Sequence, residues 1–135
     1  MRNERGEATV EFVLMVLICF IPLVQLVVAL AGLEAASFAT ESALRDASRI
    51  IMAGGKVPAA QQAARLSFAD QHIRATVPEI RVSCSGNGCR PGGRAALSIR
   101  VNVLLPGFPE VIDKVVPARV PITSSTVITV PKLRS

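Results

Sequence analysis

Few side chains in this 135-residue sequence have the types and spacing that chemistry needs. Cys84 and Cys89 enclose Ser-Gly-Asn-Gly, a flexible segment that lets two Cα atoms approach within the roughly 4.4 to 6.8 Å of a disulfide. The pair alone does not make a zinc site, because His72 is the single histidine and the third cysteine, Cys19, lies in a separate apolar run. We therefore expect a Cys84–Cys89 disulfide, with two unpaired thiols as the alternative, and no metal or other cofactor.

No arrangement typical of an enzyme accompanies these cysteines. The segment GGKVP at residues 54–58 departs from the phosphate-binding loop pattern. Glu110 and Asp113 stand three apart in a proline-rich stretch, without the spacing of a calcium-binding loop. Ser124 and Ser125 are better explained as strand residues, because no base stands at a recognised motif spacing from them. We expect a non-enzymatic protein with no small-molecule substrate, in which His72 is structural or lies on the surface.

The chain is basic, with 15 Lys and Arg against 10 Asp and Glu, but the basic residues are scattered along it. Proteins that bind nucleic acid usually cluster this charge and add aromatic side chains for stacking on bases. The sequence has neither Trp nor Tyr. Nucleic acid is therefore not an expected partner.

An uncharged apolar run occupies residues 12–33. Its 22 residues are enough for a helix to cross a bilayer, which takes about 20 residues. Arg2 and Arg5 precede the run, whereas the first basic residue after it is Arg45. Because Lys and Arg favour the cytoplasmic flank of a span, we expect a single-pass membrane protein with a cytoplasmic N-terminus. The remaining residues are then extracytoplasmic, where a disulfide is permitted.

Two helices are predicted from the pattern up to residue 76. Residues 34–53 contain neither Gly nor Pro, so the span should continue outward as one helix over residues 7–53, with Pro22 and Gly32 as the points where it could kink. Pro58 suits the first turn of a second helix that we expect to reach about residue 75. The helical spacing predicts a buried face on it formed by Ala59, Ala63, Leu66, Ala69 and Ile73.

Beyond Pro78 the apolar period changes from 3.6 to 2, which indicates strands. Alternation predicts one strand ending at Cys84, a second around residues 97–103, and a third over residues 118–130. Pro121 places the third strand at a sheet edge, since proline cannot donate a ladder hydrogen bond. We expect an α+β fold in which a long N-terminal helix and a second helix cover a small antiparallel three-stranded sheet.

The junction between the N-terminal leader and the apolar run is unusual for a plain anchor. Gly6 separates the two and, with its low helix propensity, should leave an extended backbone that a protease can reach. Glu11 stands five residues later at the edge of the run, where a carboxylate is costly in lipid, and Phe12 follows it. A cut after Gly6 would create an α-amino group on Glu7 able to pair with Glu11 of the same or a neighbouring chain.

This junction resembles the processing motif of type IV prepilins, which have a Gly before the cut and a Glu at the fifth mature residue. More closely, GEATVEFVLMVLICFIPLVQLV, at residues 6–27, is similar to the start of TadE-like minor pilins or pseudopilins of tight-adherence (Tad/Flp) pilus systems. The resemblance implies a pilin-like fold, Gly6 as the last leader residue, Glu7 as the first mature residue, and Glu11 with Phe12 as assembly residues. The implied partners are a prepilin peptidase, other pilin subunits, the pilus assembly machinery and the membrane.

Two alternatives remain at this point. Ala29-Leu30-Ala31 is an acceptable signal-peptidase site, and a cut after Ala31 would release a secreted binding domain. An uncleaved chain would be a simple anchored binding domain. On the pilin interpretation the chain divides into a cytoplasmic leader (residues 1–6), the start of the transmembrane helix (7–33), extracytoplasmic helices (34–76) and a β region with the disulfide loop (77–135).

Overall fold

The computed structural model describes residues 4–84, 89–107, 114–115 and 119–131. In chain order its elements are α1 (Glu4–Met52), α2 (Val57–Asp70), β1 (Glu79–Cys84), β2 (Arg94–Leu104) and β3 (Arg119–Thr129). This is the α+β arrangement that the sequence predicts, with a long N-terminal helix, a second helix and a three-stranded antiparallel sheet.

Helix α1 is continuous for 49 residues, which corresponds to about 73 Å at about 1.5 Å per residue. It contains Pro22 and continues through it without a break. The helix ends where Gly54 adopts a positive φ of 84°, and the Gly55 N–H donates to the Ile50 carbonyl at 2.8 Å. A left-handed glycine after the last turn satisfies carbonyls that the helix leaves open, so the Gly54-Gly55 pair sets the end point.

Helix α2 begins as predicted but ends at Asp70, five residues short of the predicted end. His72 has a φ of 54°, and its N–H donates to the Ala69 carbonyl at 3.0 Å. The Ile73 N–H reaches back to the Phe68 carbonyl at 3.1 Å. A non-glycine residue in the left-handed region ends the helix here, and helical periodicity alone gives no signal of this turn.

The predicted buried face of α2 is wrong for most of its members. The buried residues are Ala60, Ala64 and Phe68, whereas Leu66 is 58% exposed. Of the predicted set, Ile73 does pack against the core, although it lies beyond the end of the helix. Alanines occur on both candidate stripes of α2, so spacing does not choose between them, and the larger apolar area of Phe68 decides which one turns inward.

The sheet has the order β1-β2-β3, with both pairs antiparallel. Val82 pairs with Leu97 on one side of the central strand, and Ile128 pairs with Ala95 on the other. Pro121 lies in β3, an edge strand, as predicted. Strict alternation along β2 leaves one face of the sheet buried and the other directed outward.

The buried face of the sheet packs against the outer half of α1, which covers it as predicted. Small side chains on α1 let the elements approach closely, because alanine occupies the fully buried positions 36, 39, 43 and 47. Strand β2 supplies the large residues of this core. Those with relative exposure of 2% or less are Leu97, Ile99, Val101 and Val103.

Cys84 and Cys89 form a disulfide with their Cα atoms 5.1 Å apart, as predicted. Cys84 ends β1 and packs against the core, so the bond ties the start of the β1–β2 loop to the sheet. Residues 85–88 of that loop lie outside the described residues. Beyond it, the Gly92 N–H donates to the Val130 carbonyl, and the Val130 N–H donates to the Gly93 carbonyl.

A Cys84→Ser/Cys89→Ser double variant is expected to lose about 2 kcal/mol of unfolding free energy, because the small loop is no longer closed in the unfolded chain. Urea titration of the full chain in phosphatidylcholine nanodiscs, read by protease susceptibility, measures this loss. Dithiothreitol should destabilise the wild type by the same amount and leave the double variant unchanged. Equal urea midpoints for wild type and double variant would contradict the prediction.

Candidate functional site

All four residues predicted for processing and assembly, Gly6, Glu7, Glu11 and Phe12, lie in α1 and are exposed. The extended backbone predicted at Gly6 is wrong, because α1 already begins at Glu4 and continues through the glycine. A single glycine costs a helix only about 1 kcal/mol, which the run of good helix formers after it offsets. Among the residues that the structure describes, a Cβ atom at Gly6 would meet nothing within 4 Å, so packing against them does not require the glycine.

Glu7 and Glu11 are four residues apart on α1 and therefore lie on the same side of the helix, about 5 to 6 Å apart at their Cβ atoms. Glu11 makes no hydrogen bond or ion pair with any side chain that the structure describes. Phe12 is 68% exposed and starts the apolar surface. A carboxylate that the described side chains leave without a partner at this position can gain one from another molecule or from a new charge on its own chain.

The apolar half of α1 packs against little of the chain. Its most apolar 18-residue stretch has a mean hydropathy of 2.9 and is 0% buried, and α1 is long and apolar enough to cross a membrane. Between residues 12 and 30, large side chains such as Phe12, Phe20 and Leu26 are each more than half exposed. Apolar surface of this extent in water favours association or a membrane environment.

The turn after β2 contacts α1 where the apolar run ends. A Cβ atom at Gly32 would overlap the Pro106 ring, and one at Gly107 would lie 3.4 Å from Val28. Glycine at position 32 thus permits the close approach of Pro106 to the helix. The end of the sheet that lies nearest the apolar half of α1 is therefore the Leu104 end of β2.

A cavity of about 290 Å³ lies beside this contact, between the start of the outer half of α1 and the end of β2. His72 and Arg74 line it together with apolar residues and Gly32. Within the part of the chain that the structure describes, no group of three or more His, Cys, Asp or Glu residues could hold a metal ion. His72 is exposed at the end of α2, where its backbone forms the turn that ends the helix.

The sequence also raised two pairs of residues as candidates for a site, Ser124 with Ser125 and Glu110 with Asp113. Ser124 and Ser125 lie in β3, where alternation directs them to opposite faces of the sheet, in agreement with their assignment as strand residues. Glu110 and Asp113 lie outside the described residues.

Sequence reasoning missed one feature, the outward face of the sheet. Four arginines that look scattered along the chain lie on this single face: Arg81, Arg94, Arg100 and Arg119. The signal was present in the alternation of each strand, but the strand register needed to combine the three strands is not readable from the chain. One carboxylate, Glu79, accompanies them.

Comparison with known proteins adds no relative. No protein-family model matches the sequence, and no curated protein or solved structure is significantly similar to it.

Proposed function

We propose that this chain is a minor pilin or pseudopilin of the tight-adherence type, cut after Gly6 by a prepilin peptidase and involved in pilus assembly. The observation that supports this most is the two-part helix α1. Its first half leaves an apolar surface exposed, and its second half packs in the core of a folded α+β domain. A helix of this kind can hold a subunit in the membrane and later pack against other subunits through the same apolar surface.

The position of Gly6 and Glu11 supports the same proposal. After a cut behind Gly6, the new α-amino group would stand on Glu7, one helical turn before Glu11 on the same side of α1. The amine of a neighbouring chain offers the same positive charge. Either pairing would compensate the Glu11 carboxylate where the helix enters an apolar environment, which a lone carboxylate enters at high cost.

Membrane topology follows from the charges around the apolar run. Arg2 and Arg5 precede it and no basic residue follows it before Arg45, so the N-terminus is assigned to the cytoplasm. The disulfide-bonded domain is then extracytoplasmic, in keeping with the compartments where disulfides persist.

The intact mass and N-terminal sequence of the protein extracted from its native membrane test the proposal. We expect the mature chain to start at Glu7, and a Gly6→Ala variant to remain at full length. Because a Cβ at Gly6 meets no described part of the chain, a block in Gly6→Ala would reflect recognition by the peptidase rather than misfolding. A start at Gly32 would instead indicate a secreted domain, and an intact Met1 a simple anchored protein; either result would refute the proposal.

A further inference from the structure

The outward face of the sheet carries a row of four exposed arginines, Arg81, Arg94, Arg100 and Arg119. The register places Arg100 opposite Glu79 of β1 and Thr123 of β3, and it places Arg81 opposite Ser98, two residues before Arg100. Arg94 and Arg119 lie at the two ends of the face, opposite Thr129 and Leu104. All four arginines are exposed.

The row is long and its charges are widely spaced. Ten residues of β2 separate the register positions of Arg94 and Arg119, which corresponds to about 34 Å at about 3.4 Å per residue. Arg81 and Arg100 are diagonal neighbours about 7 to 8 Å apart, and each of the other gaps is larger. Four arginines and one glutamate leave the face with a net charge of +3.

Glu79 neutralises part of this charge. The Nε and Nη2 atoms of Arg81 donate to the Oε1 atom of Glu79 at 2.8 and 2.5 Å. Both side chains are more than half exposed, so the pair is open to exchange for another anion. Arg94, Arg100 and Arg119 have no carboxylate partner among the described residues.

Hydroxyl groups lie between the arginines, beside apolar residues of the same face such as Ala96, Pro121 and the exposed Val127. Five residues on the same face carry a hydroxyl group: Ser83, Ser98, Thr123, Ser125 and Thr129. None of the phenylalanines that the structure describes lies in a strand, and the chain has no Trp or Tyr. The face therefore offers cations and hydroxyls without a side chain on which a nucleic acid base could stack.

We infer that this face binds a linear acidic polysaccharide outside the cell. Charges spaced about 7 Å or more apart fit a polysaccharide with at most one charge per sugar better than duplex DNA, which carries one charge per about 1.7 Å. The serine and threonine hydroxyls suit the hydroxyl groups of the sugars, and the arginines pair with their acidic groups.

The direction of the row of arginines favours a free polymer over a membrane surface as the ligand. Gly32 contacts the turn after β2, while Leu44 shares a shallow cavity with Ser124 of β3, so the strands run along α1 away from its apolar half. A membrane crossed by α1 would meet only the Arg119 end of the row. A polymer lying along the face can contact all of it.

The inference is tested with the full chain in phosphatidylcholine nanodiscs and alginate oligomers, by calorimetric titration at low and high salt. An R94S/R100S/R119S variant is expected to bind alginate about tenfold more weakly or worse, since it loses three exposed charge contacts. The matched R45S/R49S/R65S variant removes three exposed arginines from the helices and should stay within about twofold of wild type. Glu79→Gln should strengthen binding, and high salt should weaken it.

Three results would overturn the inference: no binding of alginate by the wild type, equal losses in both triple variants, or tighter binding of duplex DNA than of alginate at equal charge concentration. Vesicles containing phosphatidylglycerol serve as a further competitor, and a preference for them over alginate would assign the face to lipid instead. Every one of these binding measurements can be made on the unprocessed chain. The result is therefore independent of where the N-terminus is cut and of whether the chain enters a fibre.

Discussion

A Glu11→Ala variant is expected to be processed and held in the membrane normally but to be lost from assembled fibres, by about a hundredfold or more relative to wild type. The cause is the unpaired charge that remains. If Glu11 compensates the α-amino group of Glu7 in an apolar packing environment, its removal leaves that amine without a partner, which costs about 3 to 5 kcal/mol. Quantitative immunoblots of sheared fibres and of membrane fractions measure the ratio between the two pools.

An effect of Glu11→Ala on assembly can be distinguished from an effect on folding. Glu11 is exposed and has no hydrogen bond or ion pair with a described side chain, so its loss should not disturb the fold of the subunit. Glu11→Gln keeps the shape of the side chain without the charge and should show the same defect. Glu34→Ala, at the other end of the apolar run and also exposed, is the matched control and should assemble like wild type. Normal fibres from both Glu11 variants would refute an assembly role.

The elements of this fold were readable from the chain because their signals are local. The absence of Gly and Pro from residues 34–53 predicts the outer half of α1, and the Gly54-Gly55 pair predicts its end. Likewise, the alternating residues of β2, from Leu97 to Val103, are the buried ones. In each case the pattern repeats within one element and needs no information about a neighbour.

Most of the features that the sequence did not predict depend on how the elements pack and align with one another. The end of α2 is set by a left-handed His72, a conformation that is uncommon for any residue other than glycine and that helical periodicity does not signal. The basic face of the sheet depends on register, which aligns Arg81, Arg100 and Arg119 from three strands. The N-terminal junction was visible as a motif, but its role concerns a second molecule, so neither the fold nor the charges of one chain can supply it.

The face of α2 that turns inward is the clearest case in which tertiary packing decided between two local patterns, and it leads to the second prediction. A Phe68→Ala variant is expected to lose about 3 to 5 kcal/mol of unfolding free energy, because its ring is 3% exposed and its removal leaves a cavity. Leu66→Ala, two residues away on the same helix, should change stability by no more than about 0.5 kcal/mol, since Leu66 is 58% exposed.

The two substitutions distinguish the two candidate faces directly. Both truncate a large apolar side chain to alanine within one helix, so the change in helix propensity is small in each and burial dominates the difference. Urea titration of the full chain in phosphatidylcholine nanodiscs, followed by protease susceptibility of the outer domain, gives both free energies. If Leu66→Ala were the costlier change, the helix would instead bury the Ala59, Ala63 and Leu66 stripe, and the packing of α2 against α1 would have to be rotated accordingly.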